Sequence, residues 1–205
     1  CRKEKTLSFI GADNFASDYC DFIIQKGRDD VLIAFLDFLN EQKNWTLIDL
    51  FNLQSHSPHT PRVEKYCREN NLHSLSRVSF DAPAIVIKDK PETHKLSNKK
   101  SLKRHFNYFK RNGDLSFKTA TNVSEIKEHL KPFYQQHIER RALTKNPSLF
   151  LEENQRDFYV YLTDELFKKD WLKFSRVTFG NEVLAYHFGF EYQNHFIWYK
   201  PTFNV

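Results

Sequence analysis

The pattern that most constrains the fold is the alternation of apolar residues near the C-terminus. Residues 171–179, 182–192 and 195–203 read as three antiparallel strands, joined at Gly180-Asn181 and Gln193-Asn194, the residue types that tight turns require. On the middle strand, one face is large and apolar: Leu184, Tyr186, Phe188, Phe190 and Tyr192. The other face carries Val183, Ala185, His187, Gly189 and Glu191. The pattern predicts a sheet with one face in a core and one face with room for a ligand.

Composition indicates a globular, intracellular protein. The 205 residues include 20 Phe and 9 Tyr, and no apolar run approaches the length of about 20 residues that a membrane span requires. Three scattered cysteines predict a reducing, cytoplasmic compartment without a disulfide framework, and their wide spacing argues against a metal site. The chain has no Met and stops just after a strand, so we expect a segment of a longer protein.

The chain is predicted to be mixed α/β, with two lobes: 1–90, then a polar linker at 91–98, then 99–205. The first half reads as strand, helix, strand, helix and extended chain. The second half begins with a basic helix at 99–112, followed by a strand, two helices and the three C-terminal strands. Between Glu92 and Asp114 the sequence holds no acid and seven cations: Lys95, Lys99, Lys100, Lys103, Arg104, Lys110 and Arg111. This local charge can attract an anion.

Periodicity assigns buried faces to the helices. For the first helix, from residue 31 to 42, the predicted inward stripe is Val31, Ala34, Phe35, Phe38 and Leu39. For the long helix, starting at Asn122 or Ser124, it is Ile126, Leu130, Phe133, Tyr134 and His137. For the helix ending near residue 169, it is Phe158, Tyr161, Leu162, Leu166 and Phe167. The apolar run at 45–53 predicts a strand buried on both faces.

Three stretches resemble the GNAT superfamily of acyl-CoA acyltransferases. They are Ser101-Leu102-Lys103-Arg104 leading into Asn112-Gly113-Asp114-Leu115, then His137-Ile138-Glu139-Arg140-Arg141, and the segment from Gly180 to Phe190 followed by Trp198-Tyr199. Within that superfamily the chain is similar to the acetyltransferase domain of bacterial cellulose-biosynthesis (CelD/BcsL-type) proteins, which is related to the Fem aminoacyl transferases. That family tends to have Trp where this chain has Arg141. The resemblance implies tandem GNAT-like lobes, the first partial and degenerate and the second ending after its fourth strand.

The resemblance also implies a donor site. Acetyl-CoA or another acyl-CoA would lie along the third C-terminal strand, against the backbone of Trp198 and Tyr199, and Tyr199 would protonate the leaving thiolate. A glycine-rich turn opening a helix usually holds the CoA pyrophosphate. The five glycines of this chain are isolated, so we expect that turn to follow residue 205.

The candidate site residues each have a structural alternative. His187 could act as a general base or be a satisfied histidine beneath a helix. Glu191 could bind a cationic acceptor or be solvated. His137 and Arg140 could hold the acceptor, or could stabilise a helix C-terminus. Lys103 and Arg104 could bind an anion or be solvated. Tyr199 could equally belong to the core.

Three functions remain open on the sequence. The first is acyl transfer to a hydroxyl or amine of a small-molecule or glycan-precursor acceptor of the cell envelope, with no metal. The second is Fem-like aminoacyl transfer from charged tRNA, in which the basic helix would touch RNA and binding would depend steeply on salt. The third is a non-enzymatic GNAT-like binding module.

Overall fold

The computed structural model describes residues 5–11, 17–42, 44–87, 95 and 97–205. Contacts divide the chain into two compact units, Cys1–Val86 and Ile87–Val205. The predicted linker at 91–98 lies largely outside the described residues. The mixed α/β class is confirmed, since helices combine with a parallel strand pair and a four-stranded antiparallel sheet.

The first unit packs two helices beside a short parallel strand pair. Its elements are β1 (Thr6–Ser8), α1 (Asp29–Gln42), β2 (Leu47–Asp49) and α2 (Thr60–Glu69). β1 pairs with β2 in parallel, and Cys20 and Leu53 form a further parallel bridge. A small core holds Leu32, Leu36 and Tyr66.

The predicted inward stripe of α1 is wrong. Leu32 and Leu36 are the buried residues, whereas Val31, Phe35 and Phe38 are 40–55% exposed. Apolar side chains surround this helix on most sides, so its sequence period does not select a face, and the Leu32–Leu36 pair packs with Tyr66 instead.

The predicted strand at 45–53 is also shorter and less buried than expected. β2 has three residues, and Leu47 is 52% exposed. Residues 72–87, predicted as mostly extended, carry no strand assignment and are mostly exposed.

The second unit is a four-stranded antiparallel sheet. One helix precedes its first strand, and two longer helices lie in the chain between the first strand and the other three. Its elements are α3 (Lys100–Asn112), β3 (Leu115–Thr119), α4 (Val123–Ala142), a 3₁₀ turn (Leu149–Leu151), α5 (Glu153–Lys168), β4 (Leu172–Phe179), β5 (Glu182–Tyr192) and β6 (His195–Phe203). The strand order is β3-β4-β5-β6. The predicted three-strand meander is confirmed, with β5 and β6 at the predicted bounds.

Helix α4 carries the core of this unit. Asn122 caps its start by accepting a hydrogen bond from the Glu125 N–H at 2.8 Å. The predicted inward stripe is confirmed, because Ile126, Leu130, Phe133, Tyr134 and His137 are all buried. The Phe133 ring lies within about 6 Å of the rings of Phe150, Phe174, Tyr186 and Phe188. α4 therefore packs on the face of the sheet that carries Tyr186 and Phe188.

The face predicted for α5 is partly wrong. Tyr159 and Thr163 are buried, and Leu162, Leu166 and Phe167 pack at the edge of the core. Phe158 and Tyr161 are 44% and 63% exposed. The buried face of α5 is therefore centred on Tyr159 and Thr163. The Thr163 hydroxyl can be buried because it donates a hydrogen bond to the Tyr159 carbonyl.

Two irregularities shape β5. Val177 pairs with Ala185 and Thr178 with Val183, which leaves Leu184 without a partner residue on β4. Val183 consequently packs against the core, contrary to its predicted place on the open face. On the other side, Phe188 pairs with Lys200 and Phe190 with Ile197, so Gly189 opposes two residues of β6. Such bulges re-aim side chains along a strand.

In the described part of the chain, no helix has both the length and the apolar character needed to cross a lipid bilayer.

We expect Phe133→Ala to lower the free energy of unfolding of the second unit by about 3–5 kcal/mol, because the ring is fully buried among other aromatic rings. Phe158→Ala is the matched control, since that ring is 44% exposed, and it should cost far less. Denaturant titration of both variants measures the difference, and equal losses would contradict this account of the core.

We expect Glu125→Gln to weaken folding by about 1–3 kcal/mol at neutral pH, because Glu125 pairs with the largely buried Arg176 at 2.7 Å. The close Arg176 guanidinium and the hydrogen bond donated by the Thr121 N–H hold the pKa of Glu125 below its usual value. The carboxylate therefore stabilises the fold above the ordinary carboxyl pKa, and that contribution is lost as pH falls. Urea titrations at several pH values should show the deficit shrinking on acidification, whereas Glu128→Gln, on the exposed side of α4, should show no deficit.

Candidate functional site

His187 lies at the centre of the sheet and is 5% exposed. Its neighbours in register are Ser175 on β4 and Pro201 on β6. The Trp198 indole stacks on its imidazole, with ring centroids 3.9 Å apart and planes 12° apart, and the Phe196 ring lies 5.4 Å away. Side chains of β6 therefore bury the imidazole. The alternative expectation, that a helix would cover it, does not describe these contacts.

The sheet face that carries His187 is partly open to solvent. Phe117, Phe196 and Trp198 are 69%, 54% and 66% exposed. Phe117 belongs to this face because it pairs with Val177, which in turn pairs with Ala185. The predicted room for a ligand is thus a shallow aromatic surface, with the imidazole beneath Trp198, and not a deep cleft.

Gly189 makes space for the imidazole of His187. The two residues share a face of β5, and a Cβ placed on Gly189 would overlap the Cε1 atom of His187 and lie 2.7 Å from its Nε2 atom. The same Cβ would lie 2.8 Å from the Ile197 carbonyl oxygen. Glycine is therefore required here because the imidazole and β6 approach so closely. Its backbone does not adopt the left-handed conformation that often explains a glycine.

The β5–β6 bulge places Trp198, and not Tyr199, on the sheet face of His187. Trp198 stacks on His187, while Tyr199 packs with Phe190 and with Tyr159 of α5 at ring distances of 5.1 and 6.4 Å. Burial, and then the neighbouring Tyr199 hydroxyl, raise the pKa of Tyr159. The two residues predicted to be catalytic, His187 and Tyr199, are therefore not brought together.

Burial sets the protonation state of His187. Loss of hydration lowers its pKa to about 4, so the imidazole is neutral at physiological pH. Its Nε2 atom is fully buried and has no hydrogen-bond partner among the described residues. An unpaired buried polar atom of this kind is costly, and it marks a position where a ligand atom could be bound.

His137 is held inside the second unit. It is 5% exposed, and its Nδ1 atom lies 2.7 Å from the Ser148 hydroxyl. Burial, then the charges of Lys200, Arg141 and Arg140, lower its pKa to about 4. His137 therefore supports the surrounding structure from within and does not present its ring to solvent.

Arg140 reaches the edge of β6. Its Nη1 atom donates to the Pro201 carbonyl at 2.9 Å, and its guanidinium lies 4.9 Å from the centre of the Phe203 ring. Pro201 is the β6 partner of His187, so Arg140 is anchored about one strand spacing, ~5 Å, from the strand that holds the imidazole. Burial and Arg141 lower the pKa of Arg140, which indicates a local excess of positive charge.

Glu191 lies at the solvated end of β5. Its Oε2 atom is 3.8 Å from the Lys173 Nζ atom, and that ammonium also pairs with Asp170 at 2.7 Å. Glu191 also borders a shallow depression of about 350 Å³ beside the β5–β6 turn, which includes Trp171, Tyr192 and Asn194. It is not adjacent to His187 along the strand.

Lys103 and Arg104 are exposed on α3. They border an open depression of about 560 Å³, formed by this helix and lined by Lys100, Asn107, Tyr108, Arg111 and Asn112 as well. Among the described residues no group of three or more His, Cys, Asp or Glu side chains is arranged to hold a metal ion.

Sequence reasoning missed several polar residues of this unit. Ser148 binds His137, and Ser175, the β4 partner of His187, shares a 2.9 Å hydrogen bond with Thr119. Gln136 Nε2 donates to the Val183 carbonyl at 3.1 Å, while its Oε1 atom is buried without a partner. Ser148 follows Asn146-Pro147, which signals a loop and a helix start, but no sequence signal pairs it with His137.

Comparison with known proteins then assigns the second unit. No curated protein and no solved structure matched the chain. A family model described as "Acetyltransferase (GNAT) domain" matches residues 97–205, just over half of the chain and the whole stretch from α3 to β6. Domains of this family transfer acyl groups and generally use acetyl-CoA as the donor. The chain therefore belongs to the acetyltransferase (GNAT) domain family.

Proposed function

We propose that this protein is a cytoplasmic acyltransferase that moves an acetyl or other acyl group from acyl-CoA to a hydroxyl or amine of a sugar or cell-envelope precursor. Within the GNAT family we infer the CelD/BcsL type, related to the Fem aminoacyl transferases, and a degenerate GNAT-like lobe in the first half of the chain. One observation carries the proposal: the buried, unpaired Nε2 atom of His187 lies beneath Trp198 inside the matched region.

The acyl thioester would lie along β6. The exposed faces of Trp198 and Phe196 offer apolar contact to the acyl-pantetheine end of the donor. At Gly189 the β5–β6 register shifts, so Trp198 and Tyr199 of β6 both oppose one residue of β5 beside the proposed donor position. Tyr199, on the helix side of the sheet, would support this strand through Phe190 and Tyr159.

The chemistry is addition followed by elimination at the thioester carbonyl. The acceptor oxygen or nitrogen attacks the carbonyl carbon and forms the new bond, the C–S bond breaks, and the proton of the acceptor is finally carried to the CoA thiolate. Most of the acceleration in such a reaction comes from positioning and from polarising the carbonyl.

His187 would take part in this proton movement as a neutral imidazole. Because burial keeps it unprotonated at neutral pH, its Nε2 lone pair is available to accept a hydrogen bond or a proton from the attacking group. An imidazole with so low a pKa is a weak base. Its share of the rate therefore lies at the lower end of the ~10²–10⁴-fold range for general bases.

The acceptor would approach over the outer edge of β6, because α4 packs on the sheet face opposite His187 and only its arginines reach that edge. Arg140, anchored on Pro201, and the neighbouring Arg141 place positive charge next to the strand that pairs with His187. A carboxylate or phosphate on the acceptor would be attracted to these guanidiniums. His137 would act on this site indirectly by holding the loop at Ser148, and Glu191 would contact the cationic part of a large acceptor at the far end of β5.

The Fem-like alternative, aminoacyl transfer from charged tRNA, draws on the basic helix α3. It requires salt-dependent tRNA binding together with no affinity for acetyl-CoA. A non-enzymatic module would show neither donor binding nor turnover. Calorimetric titration with acetyl-CoA and with charged tRNA at rising salt, followed by measurement of free CoA thiol in the presence of phosphorylated sugar acceptors, distinguishes the three.

We expect His187→Ala to lower kcat/KM for acyl transfer by at least ~10²-fold, because the hydrogen-bond acceptor beside the reacting carbonyl is lost. His195→Gln, an exposed histidine at the start of β6, is the matched control and should retain activity. The wild-type pH–rate profile should show no acid limb from His187 between about pH 6 and about pH 8, since its pKa is near 4. An unchanged rate in His187→Ala would remove this residue from the mechanism without removing the enzyme.

We expect Gly189→Ala to reduce activity and to destabilise the second unit by about 1–3 kcal/mol, because its Cβ would displace the His187 imidazole. In the His187→Ala background the same change should cost less, since the overlapping ring is absent and only the close approach to the Ile197 carbonyl oxygen remains. Denaturant titration of the four proteins gives the coupling free energy. Additive losses would mean that Gly189 is required for the approach of β6 and not for the imidazole.

A further inference from the structure

Helix α3 has two chemically distinct faces. Its 13 residues contain five cations and no acid. At 100° per residue, the apolar side chains Leu102, Phe106 and Phe109 fall within one narrow stripe. Lys103 and Lys110 border this stripe on one side, and Lys100, Arg104 and Arg111 continue the basic face round to the side of the helix opposite the stripe.

Most of this helix is not used by the fold of its own unit. None of its residues is buried, and Leu102 and Phe106 are 52% and 56% exposed. Phe109 is the exception in the apolar stripe, because its ring packs edge-on against Phe179 of β4 at 5.5 Å. The C-terminal end of α3 is thus attached to the sheet, while the stripe at its N-terminal end faces solvent.

The charges of α3 are poorly placed for the helix itself. Lys99 occupies the N-cap position without a side-chain capping bond, no acid lies in the first turn, and Lys100 and Lys103 follow. Cations at a helix N-terminus oppose the helix dipole, whereas Lys110 and Arg111 at the other end agree with it. The N-terminal lysines therefore cost stability within the protein, and a negatively charged surface would offset that cost.

We propose that α3 binds the surface of an anionic lipid bilayer. Leu102 and Phe106 would enter the boundary between headgroups and acyl chains, and Lys103 and Lys110 would extend beside them to the lipid phosphates. Lys100 and Arg104, on the opposite side of the helix, add longer-range attraction to the negatively charged surface. This surface role is independent of acyl transfer and holds whichever acceptor the enzyme uses.

The apolar stripe favours a bilayer over RNA as the partner. A nucleic acid would satisfy the basic face through its phosphates but would leave Leu102 and Phe106 in water. A low overall hydrophobicity combined with segregated basic and apolar faces is typical of helices that lie in the membrane interface.

Vesicle flotation with the whole chain tests the proposal. We expect binding to phosphatidylcholine vesicles containing about 30 mol% phosphatidylserine, at least roughly tenfold weaker binding to pure phosphatidylcholine, and further weakening as salt rises. Failure to bind the anionic vesicles, or equal binding to both compositions, would overturn the proposal without affecting acyl transfer.

Two variants separate the apolar and charged contributions. Leu102→Ser with Phe106→Ser should weaken binding to anionic vesicles at least roughly tenfold, because the inserted groups are lost. Lys103→Gln with Lys110→Gln should weaken it roughly 30-fold. The charge-matched control, Lys65→Gln with Lys131→Gln, removes two exposed cations from other helices and should bind normally. Circular dichroism verifies that each variant is folded.

The decisive result is the serine variant. If it binds anionic vesicles as the wild type does while the glutamine variant does not, α3 recognises polyanions by charge alone and the bilayer proposal is wrong. Binding of bulk tRNA that is tighter than vesicle binding and unaffected by the serine changes would likewise assign the helix to RNA.

Discussion

The packing of Phe133 against the sheet is the contact on which the second unit depends. Its ring meets Phe174, Tyr186 and Phe188, which commits one face of β4 and β5 to helices α4 and α5. Since side chains alternate along a strand, His187 and Gly189 are then forced to the other face. The position of the candidate site follows from where the aromatic core lies.

The bulge between β5 and β6 converts that face into a site. Without it, the register of His187 with Pro201 would continue, and Tyr199 would pair with Gly189 on the face of His187. With it, Trp198 covers the imidazole while Tyr199 joins the core beside Tyr159. The same small region thereby combines a buried unpaired nitrogen, a glycine that admits it and an exposed aromatic surface, the three features on which the proposed thioester site rests.

Positive charge lies in two separate places, for two different physical reasons. Around His137 it comes from Arg140, Arg141 and Lys200, partly buried near the end of α4 and β6, where burial increases its effect on pKa. On α3 it is fully solvated, so salt screens it and it acts on large charged surfaces rather than on one group. The proposed acceptor site and the proposed lipid-binding helix use these two kinds of charge.

The sequence by itself determined the mixed α/β class, the bounds of β5 and β6 and the inward stripe of α4, because these depend on local periodicity and turn chemistry. The resemblance to the family that residues 97–205 match came from particular sequence stretches, which need no structure to be read. It did not determine the faces of α1 and α5, where apolar residues occur on several sides and neighbouring elements select which are buried. It also could not place Val183 in the core or separate Tyr199 from His187, since bulges arise from the pairing of two strands. The low pKa of His187 and the contact of His137 with Ser148 likewise required the tertiary structure, because desolvation and through-space hydrogen bonds exist only once distant segments have packed together.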